Sequence, residues 1–334
     1  MLNVITVEFD SALPTVKPPT FLDVGVSQAY LPWEQRLDVL LHTPQATANL
    51  IEESIWDAVN HTLIPELEGL PFVEIYTESG QYVASTIDLP HRLGTGYLLK
   101  NKHARLDDQR FREALRQRIR DQGIYKAVFT LCPMSIVLGS FYTHIAGIYR
   151  IPRVLSGEFV AENAVSMPTG GAVHDPVSAR GRGVKTEHMF AIEKDKKKGG
   201  EKDKAIQKPS EAGLGNIVYV RESFKAERYI GRFVIDTRLV DKSNLDAKAK
   251  HLIQILSEYL VRRLLSDAVT LRTECYLIPK AEKLLKPLAE LNTLEQQVKE
   301  AIGECSDLFS KVRVVVPNDQ VQFAEEEDGT SATE

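Results

Sequence analysis

The chain has 334 residues, 43% hydrophobic and 26% charged, with 41 Lys and Arg against 46 Asp and Glu for a formal net charge of −5. That composition fits a globular chain that buries one large core or two smaller ones. The start, M-L-N-V-I-T-V-E-F-D, lacks the basic and long apolar regions of a signal peptide, and no run approaches the ~20 apolar residues of a membrane span; a cytoplasmic protein with no membrane partner is expected.

Asn3–Phe9 alternates as a strand does until K-P-P-T breaks it, and D-V-L-L (Asp38–Leu41) is a second strand. Ala46–Val59 reads as a helix, with Leu50, Ile51, Ile55, Ala58 and Val59 recurring at helical spacing and Glu52, Glu53 and Asp57 on the other face. F-V-E-I-Y-T-E-S-G-Q-Y-V-A-S is a hairpin turning at Ser79-Gly80. Beyond it, His91 and Arg92 read either as ligand-facing or as a structural histidine beside a surface arginine. Asp107–Gln122 is an amphipathic helix with Phe111, Leu115 and Ile119 inward and a solvated, mixed-charge outer face.

Two strand-like segments, Val154–Val165 and Asn216–Val220, bracket an insert too polar and charged to bury anything. Arg180, Arg182 and Lys185 stand there among glycines, with no acidic neighbour until Glu187. Glycines let backbone approach a ligand closely, and clustered cations favour a polyanion whose phosphates release counterions on contact, so nucleic acid is the first candidate. The following Lys194–Lys208 tract interleaves its lysines with Glu193, Asp195, Glu201 and Asp203 and reads equally as a solvated, disordered loop over 194–210. The tail, 324–334, holds Glu325, Glu326, Glu327, Asp328 and Glu334 and no cation; without those five acids the remainder carries no formal net charge.

In the C-terminal half, Ile230–Leu239 is a strand, Leu245–Leu265 a long helix, and Val269–Leu277 a half-buried strand; Lys299–Phe309 adds a helix and V-R-V-V-V-P a last strand. Strand, helix and strand in both halves indicate an α+β fold built on a split βαβ sheet of the ferredoxin or RNA-recognition type. No repeat is present. Cys132, Cys275 and Cys305, an odd number at wide spacing among apolar residues, read as reduced core thiols, and no metal or cofactor motif is found. G-T-G and G-L-G-N fall short of a dinucleotide fingerprint.

Four segments taken in order, L-L-H-T-P-Q-A-T-A-N-L-I-E-E, G-L-P-F-V-E-I with S-T-I-D-L-P-H-R, R-V-L-S-G-E-F-V-A-E-N-A-V, and G-L-G-N-I-V-Y-V-R-E-S-F, resemble the RAMP-superfamily backbone subunit of type I CRISPR–Cas surveillance (Cascade) complexes, with the likeness strongest to the subtype G (formerly U) version. The resemblance spans roughly residues 21–279. It implies one domain over 1–323: a modified ferredoxin-like, RNA-recognition-like palm, helical finger insertions, and a β-hairpin thumb at about 166–216. It further implies a ribonucleoprotein of antiviral defence. Copies would polymerise head-to-tail along a CRISPR guide RNA, leaving base edges to pair with target DNA, beside other effector subunits and indirectly the helicase-nuclease. Sequence-independent grasp calls for backbone, Arg, Lys and small polar contacts. The residues proposed for it are Gln45, Asn49, His91, Arg92, Arg153, Ser156, Asn163, Arg180, Arg182, Lys185, Asn216 and Arg221. Paired aromatics for base stacking are not evident in the palm strands. The resemblance implies no enzyme; the alternative is RNA cleavage in the manner of type III relatives, with Asp175 as the loop carboxylate and His174 as acid or base.

Overall fold

Strand β1 (Leu2–Ser11) buries Ile5, Val7 and Phe9 and turns Val4 and Thr6 outward, as a period of two requires. The computed structural model describes residues 2–143, 145, 149–173, 217–280 and 288–318. Strands β2 (Gln28–Leu31) and β3 (Arg36–His42) follow, and β3 runs straight into helix α1 (Pro44–Glu53). Thr43 caps this helix, its Oγ1 accepting from the Ala46 amide at 3.1 Å, while Pro44 takes the first turn, where no amide donor is needed. The helix stops short of the expected Val59. The Asp57 carboxylate accepts from the amides of Val59 and Asn60, turning the chain into a short ladder of Trp56–Asp57 with Thr62–Leu63. Val59, expected inside, is therefore 86% exposed, and Glu52, expected on the polar face, is buried.

The hairpin of β4 (Val73–Thr77) and β5 (Tyr82–Ser85) turns where expected, with Gly80 at φ 83°. Helix α2 (Phe111–Gln122) starts later than expected, because Asp107 and Asp108 take positive φ and close a small hairpin of Arg105–Leu106 with Gln109–Arg110. Its inward residues Phe111, Leu115 and Ile119 are buried as the periodicity demands. Helix α3 (Ile124–Phe129) leads to the hairpin of β6 (Ser140–Tyr142) and β7 (Tyr149–Ile151). Long β8 (Leu155–Ser166), β9 (Thr169–Val173), β10 (Ile217–Arg221) and long β11 (Phe224–Asp236) come next. The strand expected over Ile230–Leu239 thus begins earlier and ends at Asp236, where a helical turn starts.

Helix α4 (Ala247–Leu264) matches the expected long helix. The single strand expected across Val269–Leu277 is instead a hairpin of β12 (Val269–Arg272) and β13 (Cys275–Pro279), reversed at Glu274 with φ 66°. Val269 pairs with Leu277 and both are buried, so the alternation survives although the chain turns back on itself. Helix α5 (Leu291–Glu304) begins upstream of the expected Lys299–Phe309 and overlaps it from Lys299 to Glu304; its N-cap, Glu290, makes no side-chain capping bond, so no local signal marks its start. The last strand, β14 (Val312–Val316), exists as expected but joins β4 in parallel, in a separate three-stranded sheet with β5.

The main sheet is antiparallel in the order β12–β13–β1–β11–β8–β3–β2. Helices α1 and α4 touch each other and cover one face, α1 against β8 and α4 against β11, which makes the fold α+β. Gly157 admits α1: a Cβ there would lie 2.9 Å from Thr47 Cγ2 and 2.6 Å from Phe233 Cδ1. Beneath the helices Phe9, Phe159 and Phe233 pack with ring centroids 5.5 and 5.7 Å apart, and losing the buried Phe159 ring costs about 3–5 kcal/mol. Beyond β8 and β11 the chain forms the β9–β10 ladder, from Thr169 opposite Arg221 to Val173 opposite Ile217. The three cysteines are free and buried, as their apolar settings indicated. Among the described residues no helix is long and apolar enough to cross a membrane, and no group of His, Cys, Asp and Glu is placed to hold a metal ion.

Candidate functional site

A cleft of about 620 Å³ opens where α1, the turn after β5, the β6–β7 hairpin and the start of β8 converge. It gathers five of the residues singled out in the sequence: Gln45, His91, Arg92, Arg153 and Ser156. Gln45 stands in the first turn of α1, so the positive end of the helix dipole faces the cleft. Ser156 is half-buried at the start of β8, and His91 is exposed on the turn that Pro90 opens.

Arg92 lines the cleft but is not a free surface cation. Held at φ 49° and 5% exposed, it donates from Nε to Glu52 Oε1 at 2.6 Å, from Nη2 to Glu52 Oε2 at 2.8 Å and from Nη1 to the Gly139 carbonyl at 3.1 Å. Such a forked, nearly dry pair fixes geometry more than it adds stability. Burial pushes the Glu52 carboxyl up to about 7, with Arg92 pulling the other way. The local signal for this pairing was weak, since a glutamate at the end of a helix ordinarily faces solvent.

Arg153 is half-buried, its Nε donating to the Leu138 carbonyl at 3.1 Å. Gly139 makes room for it, because a Cβ at that position would lie 2.8 Å from Arg153 Cγ, and its φ of 78° also favours glycine. Burial, and then the like charges of Arg92 and Arg150, lower the Arg153 pKa, although an arginine stays charged at neutral pH. Arg150, passed over in the sequence-level choice, is exposed on β7 directly across from Phe141 and lines the same cleft. The alternation of Y-R-I around it was the signal, since buried Ile151 sends Arg150 outward.

Among the described residues no carboxylate lines this cleft. With Arg92 held by Glu52, the remaining cations of the cleft are Arg150 and Arg153, and neither has an ion-pair partner among the described residues. Two guanidinium groups that raise each other's energy, beside Gln45 and Ser156 as neutral hydrogen-bonding groups, make a receptor for phosphate and sugar oxygens.

Asn49 falls on the other side of Pro90. It lines a separate hollow of about 270 Å³ with Glu52, Glu53, Asp88 and Trp56, a setting that repels phosphate. The Glu52–Arg92 pair thus forms the wall between a basic and an acidic hollow. Asn163 is committed elsewhere: at φ 52° its amide donates to Asp38 Oδ1 at 3.2 Å and its side chain to Glu227 Oε2 at 2.6 Å. Arg221, at the base of the β9–β10 ladder, donates to Glu274 Oε2 at 2.7 Å and does not line the cleft. His174, Asp175, Arg180, Arg182, Lys185, Asn216 and the Lys194–Lys208 tract lie outside the described residues.

A family model described as CRISPR-associated protein GSU0053 matches residues 13–166, just under half of the chain. The match indicates a CRISPR-associated protein, with a role in CRISPR defence and in a CRISPR complex. Every residue lining the basic cleft falls inside the matched span. No curated protein matches the chain.

Proposed function

We propose that this chain is the guide-RNA-binding backbone subunit of a type I CRISPR effector complex, of subtype G character, and that the basic cleft grips the sugar–phosphate backbone. Copies stand head-to-tail along the RNA, each holding phosphates while base edges stay free to pair with target DNA. The observation that carries the reading is the coincidence of the carboxylate-free Arg150–Arg153 cleft with the CRISPR-associated family match.

The strand order supports the palm. Taken alone, β13–β1–β11–β8 is the fourth-first-third-second order of a split βαβ sheet, with α1 after the first of these strands and α4 after the third. The β9–β10 ladder, which leads into 174–216, corresponds to the thumb, and the helices between β5 and β6 to the fingers. The reading assigns no chemical step to this chain.

Purified protein is expected to carry RNA, seen as a raised absorbance ratio and a band on a denaturing gel. Replacing Arg150→Ala together with Arg153→Ala should weaken binding of single-stranded RNA and reduce its salt slope by about one to two units, each lost phosphate contact removing somewhat less than one. RNA affinity indifferent to both salt and this double substitution overturns the reading, as does RNA cleavage in magnesium that Asp175→Ala abolishes.

A further inference from the structure

We propose that Phe141 is the stacking residue of the cleft: its ring receives the face of one nucleobase whose adjoining phosphate is held by Arg150, so that the cleft takes single-stranded RNA in preference to duplex. The inference rests on the RNA-binding reading above and adds to it a contact that a pure backbone grip does not need.

Phe141 is 46% exposed, and it alone of the exposed large apolar residues among those described lines the cleft. Its setting is rigid. On one side Ser140 Oγ donates to the Ser135 carbonyl at 2.9 Å, and on the other Tyr142 is fully buried, with its hydroxyl 3.0 Å from Ser140 Oγ. The backbone itself is pressed against the turn that carries Arg92, since a Cβ at Gly94 would lie 2.4 Å from the Phe141 carbonyl oxygen. Alternation along the strand then leaves the Phe141 ring facing away from the anchored pair and into the cleft. A hydrophobic ring left in water by a backbone held this firmly is a prepared contact surface, because its partner need not pay to order it.

The neighbours define the partner. Arg150 is the direct cross-strand partner of Phe141, and such pairs have Cβ atoms about 4.5–5.5 Å apart, so the two side chains leave the ladder on the same face. A flat apolar group attached to a phosphate satisfies both. A protein surface that covered Phe141 would have to bring carboxylates for Arg150 and Arg153, and no other exposed large apolar residue among those described lines the cleft. The aromatics of the central strands cannot serve instead, because Phe159 and Phe233 are completely buried under the helices. Base faces in a duplex are covered by their neighbours, so stacking on Phe141 requires an unpaired nucleotide.

The test compares the full-length parent with Phe141→Ala, Phe141→Leu and Phe141→Trp for binding to a single-stranded RNA, the same length of abasic ribose–phosphate backbone, and a duplex RNA, each across a salt series. Phe141→Ala and Phe141→Leu are expected to lose about tenfold in affinity for single-stranded RNA, with unchanged salt slope and unchanged binding of the abasic backbone, while Phe141→Trp retains the parent affinity. A 2-aminopurine placed along the RNA should show a fluorescence change on binding the parent that is lost in Phe141→Ala. Phe141 variants that bind every probe as the parent does, in a protein whose affinity still falls on Arg150→Ala with Arg153→Ala, overturn the stacking role and leave the backbone grip standing. Retention of affinity by Phe141→Leu also overturns it, since apolar bulk would then suffice. A parent that binds no RNA overturns both readings.

Discussion

Unfolding free energy should be almost independent of pH between about 4.5 and 6.5, because two buried groups titrate there with opposite signs. Burial raises Glu52 from 4.5 to about 7, so between those values the folded state holds more protons than the unfolded one. Its contribution is complete below 4.5 and lost as pH rises through 7. Burial lowers His42 from 6.5 to about 4, so its contribution is complete above 6.5 and lost as pH falls to 4. Each shift corresponds to about 3 kcal/mol at about 1.4 kcal/mol per unit, and the two slopes oppose each other where the windows overlap. The parent profile should therefore be flat and then fall by less than about 1 kcal/mol towards pH 7.5.

Substitution separates the two. Glu52→Gln keeps the neutral form that burial favours and removes the titration. The informative readout is the slope: its stability should rise by about 3 kcal/mol from pH 4 to 6.5, with His42 unopposed. His42→Asn should show the reverse, a fall of about 3 kcal/mol from pH 4.5 to 7. Urea unfolding at four pH values for the three proteins provides the measurement. Parallel profiles for parent and Glu52→Gln would mean that Arg92 keeps Glu52 ionised throughout, and the assignment of burial as the dominant cause would fail.

Gly139→Ala should destabilise by about 1–3 kcal/mol, read from the urea midpoint, and should also weaken RNA binding, because φ 78° resists a Cβ and the new methyl group displaces the Arg153 stem. In the segment 174–216, Arg180→Ala with Arg182→Ala should reduce the salt slope of RNA binding by about one to two units, whereas replacing Lys194–Lys208 by a short Gly-Ser linker should change it much less, since that tract neutralises its own charge. A larger effect from the linker would reverse that assignment. Light scattering should show small species that lengthen on added RNA, as a heterologous interface requires; a strict twofold dimer unchanged by RNA would contradict it.

Periodicity was enough to find β1, the β4–β5 hairpin, α4 and the long β8, because each buries an alternating or helical stripe along most of its length. It failed where a single side chain or dihedral redirects the chain. Asp57 holds the turn that follows α1 by capturing two amides, Glu274 at positive φ folds one expected strand into two, and Asp107 and Asp108 delay α2. A hydrophobic pattern carries no information on such events, and it cannot say which sheet a strand joins; β14 was legible as a strand and illegible as the parallel partner of β4.

The same limit explains what was legible of the site. His91 and Arg92 were legible as polar residues beyond the hairpin, Gln45, Arg153 and Ser156 were implied by the family resemblance, and the five do converge on one cleft. Which of them is available to a ligand depends on burial and pairing across long stretches of chain. Arg92 meets Glu52 from 40 residues away, and that contact converts an apparent phosphate ligand into a wall. The wall stands at a cost, with a non-glycine residue at φ 49° and two charges removed from water. An arrangement that spends stability in this way is kept where position matters more than energy. Here it holds the turn bearing His91 against Gly139 and Phe141, and so sets the width of the cleft that Arg150 and Arg153 charge.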